Sequence, residues 1–304
     1  MSTTDERRLF TATTAANQGT FTGRDWALFL SVAAIWGSSF LFIAVGLESL
    51  EPGLVTLLRV GSGAAALALV PRQRRTVVPA DRARLVILSV LWVAIPFTLF
   101  PIAEQHINSA VAGLLNGGTP IFTALVATVL LRQPPRGAQR LGIVVGFAGV
   151  ALVSLPSLDD GGSQALGVTL VIVATVCYAF SVNIAAPLQQ RYGSLNLMAN
   201  VLVLATLWTL PYGLWGVGRS RFEPGPVAAV LFLGVVGTGL AFVIMGTLVG
   251  RVGATRASMI TYVIPVVALV LGVVFRDDVV APLALVGVAL VIGGAFLASR
   301  STTT

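Results

Sequence analysis

Charge is scarce in this chain of 304 residues: Asp, Glu, Lys and Arg together supply 10% of it, against roughly 25% in a soluble domain. Lysine is absent, so all 19 basic residues are arginine, set against 12 acids. Histidine and cysteine occur once each, as His106 and Cys177. A lone cysteine excludes an intrachain disulfide, and one His with one Cys supplies no metal-ligand cluster. No P-loop, HExxH or GxSxG pattern is present, which removes the usual signatures of nucleotide hydrolysis, zinc proteolysis and serine hydrolysis. The sequence predicts no catalytic residue, no metal and no cofactor. An intramembrane enzyme is the weakest of the readings kept open.

What the chain has in abundance is apolar surface, with 56% hydrophobic residues. A hydrocarbon core of roughly 30 Å needs about 20 apolar residues. Such runs fall at 26–46, 53–70, 84–103, 107–131, 138–155, 166–187, 196–216, 226–248, 254–275 and 280–298. The expected fold is all-α integral membrane: ten transmembrane helices in two five-helix halves, residues 26–155 and 156–299. Residues 1–25 are expected to form a disordered cytoplasmic tail, since Arg7-Arg8 lacks the apolar segment close behind that a twin-arginine signal needs.

The net charge of +7 would point to nucleic acid in a soluble protein. Here the arginines sit between spans, where they report topology, and no nucleic-acid partner is expected. With the N-terminus cytoplasmic, only Arg219, Arg221 and Arg276 fall outside and Arg59 falls within a span, so every other arginine lies inside. The positive-inside rule therefore predicts an N-in, C-in protein.

The stretch Gly253 to Pro265 begins small and polar, carries Arg256, and reaches a proline inside a continuing apolar run. In a bilayer such a breaker is tolerated where neighbouring groups or a water-filled cavity satisfy the freed carbonyl. Residues 109–126 echo it around Pro120. Pro120 and Pro265, Gly142 and Gly287, and Gly149 and Gly294 all stand 145 positions apart. Five spans per half is an odd number, so the second half enters the membrane from the opposite side and the repeat is inverted. Many secondary transporters obtain two alternating states from this arrangement, with substrate held near the midplane.

The residues Ala34-Ile35-Trp36-Gly37-Ser38-Ser39-Phe40, Leu58-Arg59-Val60, Gly234 to Ala241, and the run from Arg251 to Pro265 together resemble the EamA-type ten-helix transporters of the drug/metabolite transporter superfamily. The resemblance covers roughly residues 26–298, and the aromatic amino-acid exporters are the branch it points to. It implies a multi-pass protein of a bacterial inner membrane that exports amino acids and related small metabolites. One departure stands out. After each proline the family usually closes the helix with Gly-Glu, where this chain has Arg132-Gln133 and Asp277-Asp278.

Polar and large aromatic side chains at mid-span depth are the candidates for substrate contact, because lipid offers them no partner and a cavity does. They are Trp36, Ser38 and Ser39 in the first span, Trp92 in the third, Asn116 and Thr119 in the fourth, Tyr178 and Ser181 in the sixth, and Thr261 and Tyr262 in the ninth. Close helix packing is the competing reading for the serines. Spans one, three, four, six, eight and nine are expected to line the cavity. Pro120 and Pro265 are expected to break their helices. Arg59 is expected to clamp the outer gate through Glu104, Glu51 or helix carbonyls, with direct anion binding as its alternative. His106 beside Glu104 reads as a loop contact rather than a proton relay. Gly142, Gly146 and Gly149 give the fifth span a face for close contact with the tenth span or another protomer. The expected partners are a small-molecule substrate and the lipid bilayer. No Asp or Glu falls at mid-membrane, which predicts facilitative transport. Uptake or exchange of another metabolite, and a channel, remain as alternatives.

Overall fold

The computed structural model describes residues 21–70, 77–131, 137–157 and 162–299. The first 20 residues of the expected tail, the Arg132-Gln133 pair and Asp159-Asp160 lie outside the described residues. Every regular element among the described residues is helical.

Among the described residues the longer apolar helical stretches are, in order, α1 (Gly23–Gly46), α2 (Pro52–Leu69), α3 (Pro79–Ala103), α4 (Ser109–Thr128), α5 (Ala138–Ser154), α6 (Ser163–Tyr192), α7 (Ser194–Val217), α8 (Pro224–Val252), α9 (Ile260–Arg276) and α10 (Pro282–Ala298). Seven of the described helices, α1 to α4 and α6 to α8, are long and apolar enough to cross a membrane by length and composition. The other three are apolar but shorter. At 17 residues α5 and α9 rise roughly 26 Å, just under a hydrocarbon thickness of about 30 Å.

Local chemistry explains the ends. Thr22 and Asp25 form a reciprocal capping box at the start of α1: the Thr22 backbone N–H donates to the Asp25 carboxylate at 2.9 Å and the Asp25 N–H donates to Thr22 Oγ1 at 3.3 Å, with Thr22 Oγ1 also donating to that carboxylate at 2.6 Å. The other oxygen of Asp25 accepts from Arg251 Nε at 2.6 Å, tying α1 to the end of α8. Helices α2, α3 and α8 open with proline in the first turn, where a missing N–H costs nothing. Gly193 and Gly253, at φ of 79° and 85°, close α6 and α8 in a conformation that only glycine adopts without strain.

The expected proline breaks are displaced. In α4 the helix interrupts at Gly117-Gly118 and restarts at Thr119, so Pro120 sits in a new first turn rather than at a mid-helix kink. Pro265 lies inside α9, which runs through it; the interruption falls upstream, at Ser258-Met259, after a single turn over Ala254–Ala257. A third break, at Ser38, divides α1. Two stretches widen to π-helix, Ser89–Ala94 in α3 and Leu233–Leu240 in α8.

Helices α5 and α10 pack backbone to backbone. A Cβ on Gly142 would strike Gly294 O and one on Gly149 would strike Gly287 O, while Gly146 accommodates Ile121. Gly293 faces open space. One large core, including Phe29, Ile43, Leu114, Ile121 and Ile260, runs through α1, α4, α5, α9 and α10. A second, including Leu67, Leu88, Leu188 and Met198, joins α2, α3, α6 and α7. The outward face is apolar as well: Trp208, Trp215 and Phe275 are each more than half exposed. Outside faces of this kind suit lipid rather than water.

Candidate binding cavity

A cavity of about 350 Å³ lies between the two halves of the chain, a size within the range of small-molecule pockets. Its wall draws on α1, α2, α3, α4, α6, α7, α8 and α9, whereas α5 and α10 contribute no lining residue. The lining continues to Gln189, Ser194, Val249 and Ser258, at the end of the bundle that carries Arg191 and Arg251. At the opposite end the halves are tied together. Arg276 pairs with Glu48, Asn108 Nδ2 donates to Val279 O at 2.9 Å, and Asp278 accepts from Ser109 Oγ at 2.7 Å.

Aromatic rings make most of the wall. Trp36 meets Phe242 edge to face with centroids 5.8 Å apart, and Trp92 meets the same ring at 6.4 Å, so Phe242 joins α1 to α3. Phe100 stacks on Tyr178 at 6.1 Å and takes an edge contact from Phe40 at 5.5 Å. Both π-helical stretches reach this wall, through Trp92 and Gly237. Widening of this kind is frequent at functional sites.

Of the side chains singled out from the sequence, the cavity brings together Trp36, Ser39, Arg59, Trp92, Asn116, Thr119, Tyr178 and Thr261. It does not bring in Ser38, Ser181 or Tyr262. Ser38 Oγ donates to Ile35 O at 2.9 Å, Ser181 is fully buried and donates to Cys177 O at 2.8 Å, and Tyr262 donates to Ala295 O at 3.0 Å. The two serines return to their own preceding turn, as hydroxyls on helices often do, while Tyr262 reaches across to α10. Ser39, Thr119 and Thr261 also bond to the preceding turn yet line the cavity. Pro120 and Pro265 are not lining residues either, though the Pro265 ring packs where Gly117 leaves room. Phe97, Phe100 and Phe242 were missed. The small residues Gly234, Gly237 and Gly239 just before Phe242 are the one signal that could have pointed to it, since they let neighbouring helices approach.

Arg59 is the only charged side chain among the lining residues. Its guanidinium lies 3.8 Å from the centroid of the Phe97 ring, and Nε donates to Thr238 Oγ1 at 3.4 Å. The expected ion pairs with Glu104 and Glu51 are not formed. Glu104 interacts with Arg59 only as a charge at longer range, and both its oxygens are buried without a hydrogen-bond partner among the described residues. Its packing at the end of α3 leaves no donor in reach. His106 is not hydrogen-bonded to Glu104; its Nδ1 lies 2.8 Å from Ser163 Oγ.

The model of the EamA-like transporter family matches residues 26–155 and 165–300. The chain belongs to the EamA-like transporter family. It is therefore a membrane transporter. A probable terminal-alkyne amino-acid exporter of Streptantibioticus cattleyicolor is 31% identical over 285 residues, covering 91% of this chain and 93% of that protein. An uncharacterized transporter of Archaeoglobus fulgidus is 23% identical, over 91% and 99% respectively. The uncharacterized transporter YdfC of Bacillus subtilis is 26% identical, over 86% of each. One solved structure shares the fold at a TM-score of 0.61 and 17% identity, covering 91% of this chain and 97% of its own.

Proposed function

We propose that this EamA-like transporter exports amino acids and related small metabolites across a bacterial inner membrane, by alternating access of two inverted five-helix repeats, residues 26–155 and 156–299. The observation that carries the reading is the cavity itself. It is walled by aromatic rings, holds one cation, and is built from both halves of the chain. Trp36, Trp92 and Tyr178 supply flat walls for an apolar body, while Ser39, Asn116, Thr119 and Thr261 supply polar contacts.

Two relationships support the inverted repeat. Shifted by the 145 positions that separate Pro120 from Pro265, the π-helical stretch 89–94 falls inside the stretch 233–240. The glycine contacts are reciprocal as well: Gly142 and Gly149 are the counterparts of Gly287 and Gly294, and Gly142 meets Gly294 while Gly149 meets Gly287. A two-fold axis between α5 and α10 requires such pairing. On this reading all ten apolar helices span the membrane, with both termini cytoplasmic. The cavity reaches the arginine-rich cytoplasmic end and the contacts around Glu48 and Asp278 hold the outer end shut. Transport is facilitative, driven by the substrate gradient and membrane potential.

Counterflow of a labelled amino-acid panel in proteoliposomes tests this, with and without a pH gradient. The expected result is saturable counterflow that does not depend on the gradient and is weakened about tenfold or more by Trp36→Ala, which removes a large aromatic contact. No amino-acid counterflow in folded protein sinks the substrate assignment. Proton movement linked to substrate sinks the facilitative mechanism.

A further inference from the structure

The cavity presents one formal charge, and that charge is incompletely satisfied. Arg59 has five N–H donors in a planar fork, yet its one hydrogen bond among the described residues goes from Nε to Thr238. The Phe97 ring covers the guanidinium, which fixes its plane without using any donor. Among the described residues the terminal N–H groups find no acceptor, and they sit on a cavity wall. The Tyr178 hydroxyl, close enough to interact electrostatically with Arg59, also has no hydrogen-bond partner among the described residues. Among the described residues no carboxylate lies within 4 Å of Arg59, and Glu104 acts on it only at longer range.

A buried guanidinium held this way is costly unless something completes it. The shape that does so is a planar anion with two oxygens, bound through two parallel N–H···O bonds. Around it the wall is apolar and aromatic: Phe97 lies against the guanidinium, and Phe100, Tyr178, Trp36, Trp92 and Phe242 line the same cavity.

We propose that Arg59 is the carboxylate-binding residue of the cavity, with the Tyr178 hydroxyl as a second donor, and that the transported class is an aromatic or apolar carboxylate. This deepens, and rests on, the reading of the cavity as a substrate site. The fork orients the ligand: the carboxylate lies against α2 and the apolar body against the rings of α1, α3 and α8. Thr238 and Phe97 are positioning residues, because they hold the guanidinium plane.

Three probes of one body separate the possibilities: phenylalanine, phenylacetate and phenethylamine, bound to purified full-length protein by equilibrium dialysis. Charge-assisted hydrogen bonds predict that both carboxylates bind roughly 10- to 100-fold tighter than the amine. In Arg59→Gln that ratio falls to near one, and in Arg59→Lys, which keeps the charge but loses the fork, part of it survives. A ratio taken within one variant does not depend on the fraction of protein that is folded. Phenethylamine binding as tightly as phenylacetate to the wild type, an unchanged ratio in Arg59→Gln, or no binding of either carboxylate overturns the proposal. Arg59-dependent binding of phenylacetate without phenylalanine keeps the proposal and overturns the amino-acid reading.

Discussion

Asp278 caps a helix that starts 169 residues before it. One oxygen of its carboxylate accepts from Ser109 Oγ at 2.7 Å and from the Ala110 backbone N–H at 2.9 Å, both in the first turn of α4. An acid at a helix N-terminus satisfies orphan donors and complements the helix dipole, and this one does so from the other half of the chain. Gly272 makes the approach possible, since a Cβ there would meet both Asp278 and Ala110.

Asp278→Ala leaves two donors of α4 unpaired and is expected to lower stability by about 1–2 kcal/mol, with Asp278→Asn closer to wild type. Thermal unfolding in detergent reads this out. An unchanged midpoint in Asp278→Ala contradicts the cap.

Glycine substitutions in the tenth helix should separate sharply by position. Gly294→Ala forces a side chain into the backbone of α5 and is expected to cost about 1–3 kcal/mol by overpacking. Gly293→Ala points into open space and, with its gain in helix propensity of about 1 kcal/mol, is expected to be neutral or stabilising. Equal effects of the two on the unfolding midpoint would show that α5 and α10 do not meet at these glycines.

Glu104, one residue past the end of α3, has both oxygens buried and unpartnered, and that burial pushes its carboxyl well above the usual carboxylate range. Arg59 opposes the shift, Asp278 reinforces it, and Arg276 opposes it. For an acid whose folded pKa is raised, stability is fully present below the unfolded value, about 4.3, and is lost as pH rises through the folded value. The unfolding midpoint is therefore expected to decline from about pH 5 upward, and to decline less in Glu104→Gln, where nothing ionises. The same slope in both proteins removes Glu104 as its cause.

Tyr192→Phe deletes the hydroxyl that donates to Asp81 at 2.7 Å in a buried setting and accepts from Val78 N–H at 3.3 Å. A bond to a charged acceptor is worth about 1.5–3 kcal/mol. Because Arg191 and Arg84 still face Asp81, the loss should fall near the lower end. Denaturant titration that shows no loss would mean that the arginines alone satisfy the carboxylate.

The membrane class, the apolar segments and the family were legible in the order of residues, because hydropathy adds up locally and needs no partner. The same holds for the capping box of Thr22 and Asp25 and for the prolines that open helices, each complete within one turn. The family's closing Gly-Glu left open what Asp277-Asp278 does here, and no local pattern could answer, since its partner is Ser109. Ser38 and Ser39 are adjacent and chemically identical, yet one lines the cavity and the other does not. The interruption of α1 at that point and the packing of α8 made the distinction. Arg59 was visible as a costly charge, but its neighbours Thr238 and Phe97 are contributed by separate helices that meet only after folding. Sequence order sets what each segment can bury. Which side chains then face one another depends on crossing geometry, and here that geometry follows from glycines that let backbones touch and from π-helical turns that rotate the wall.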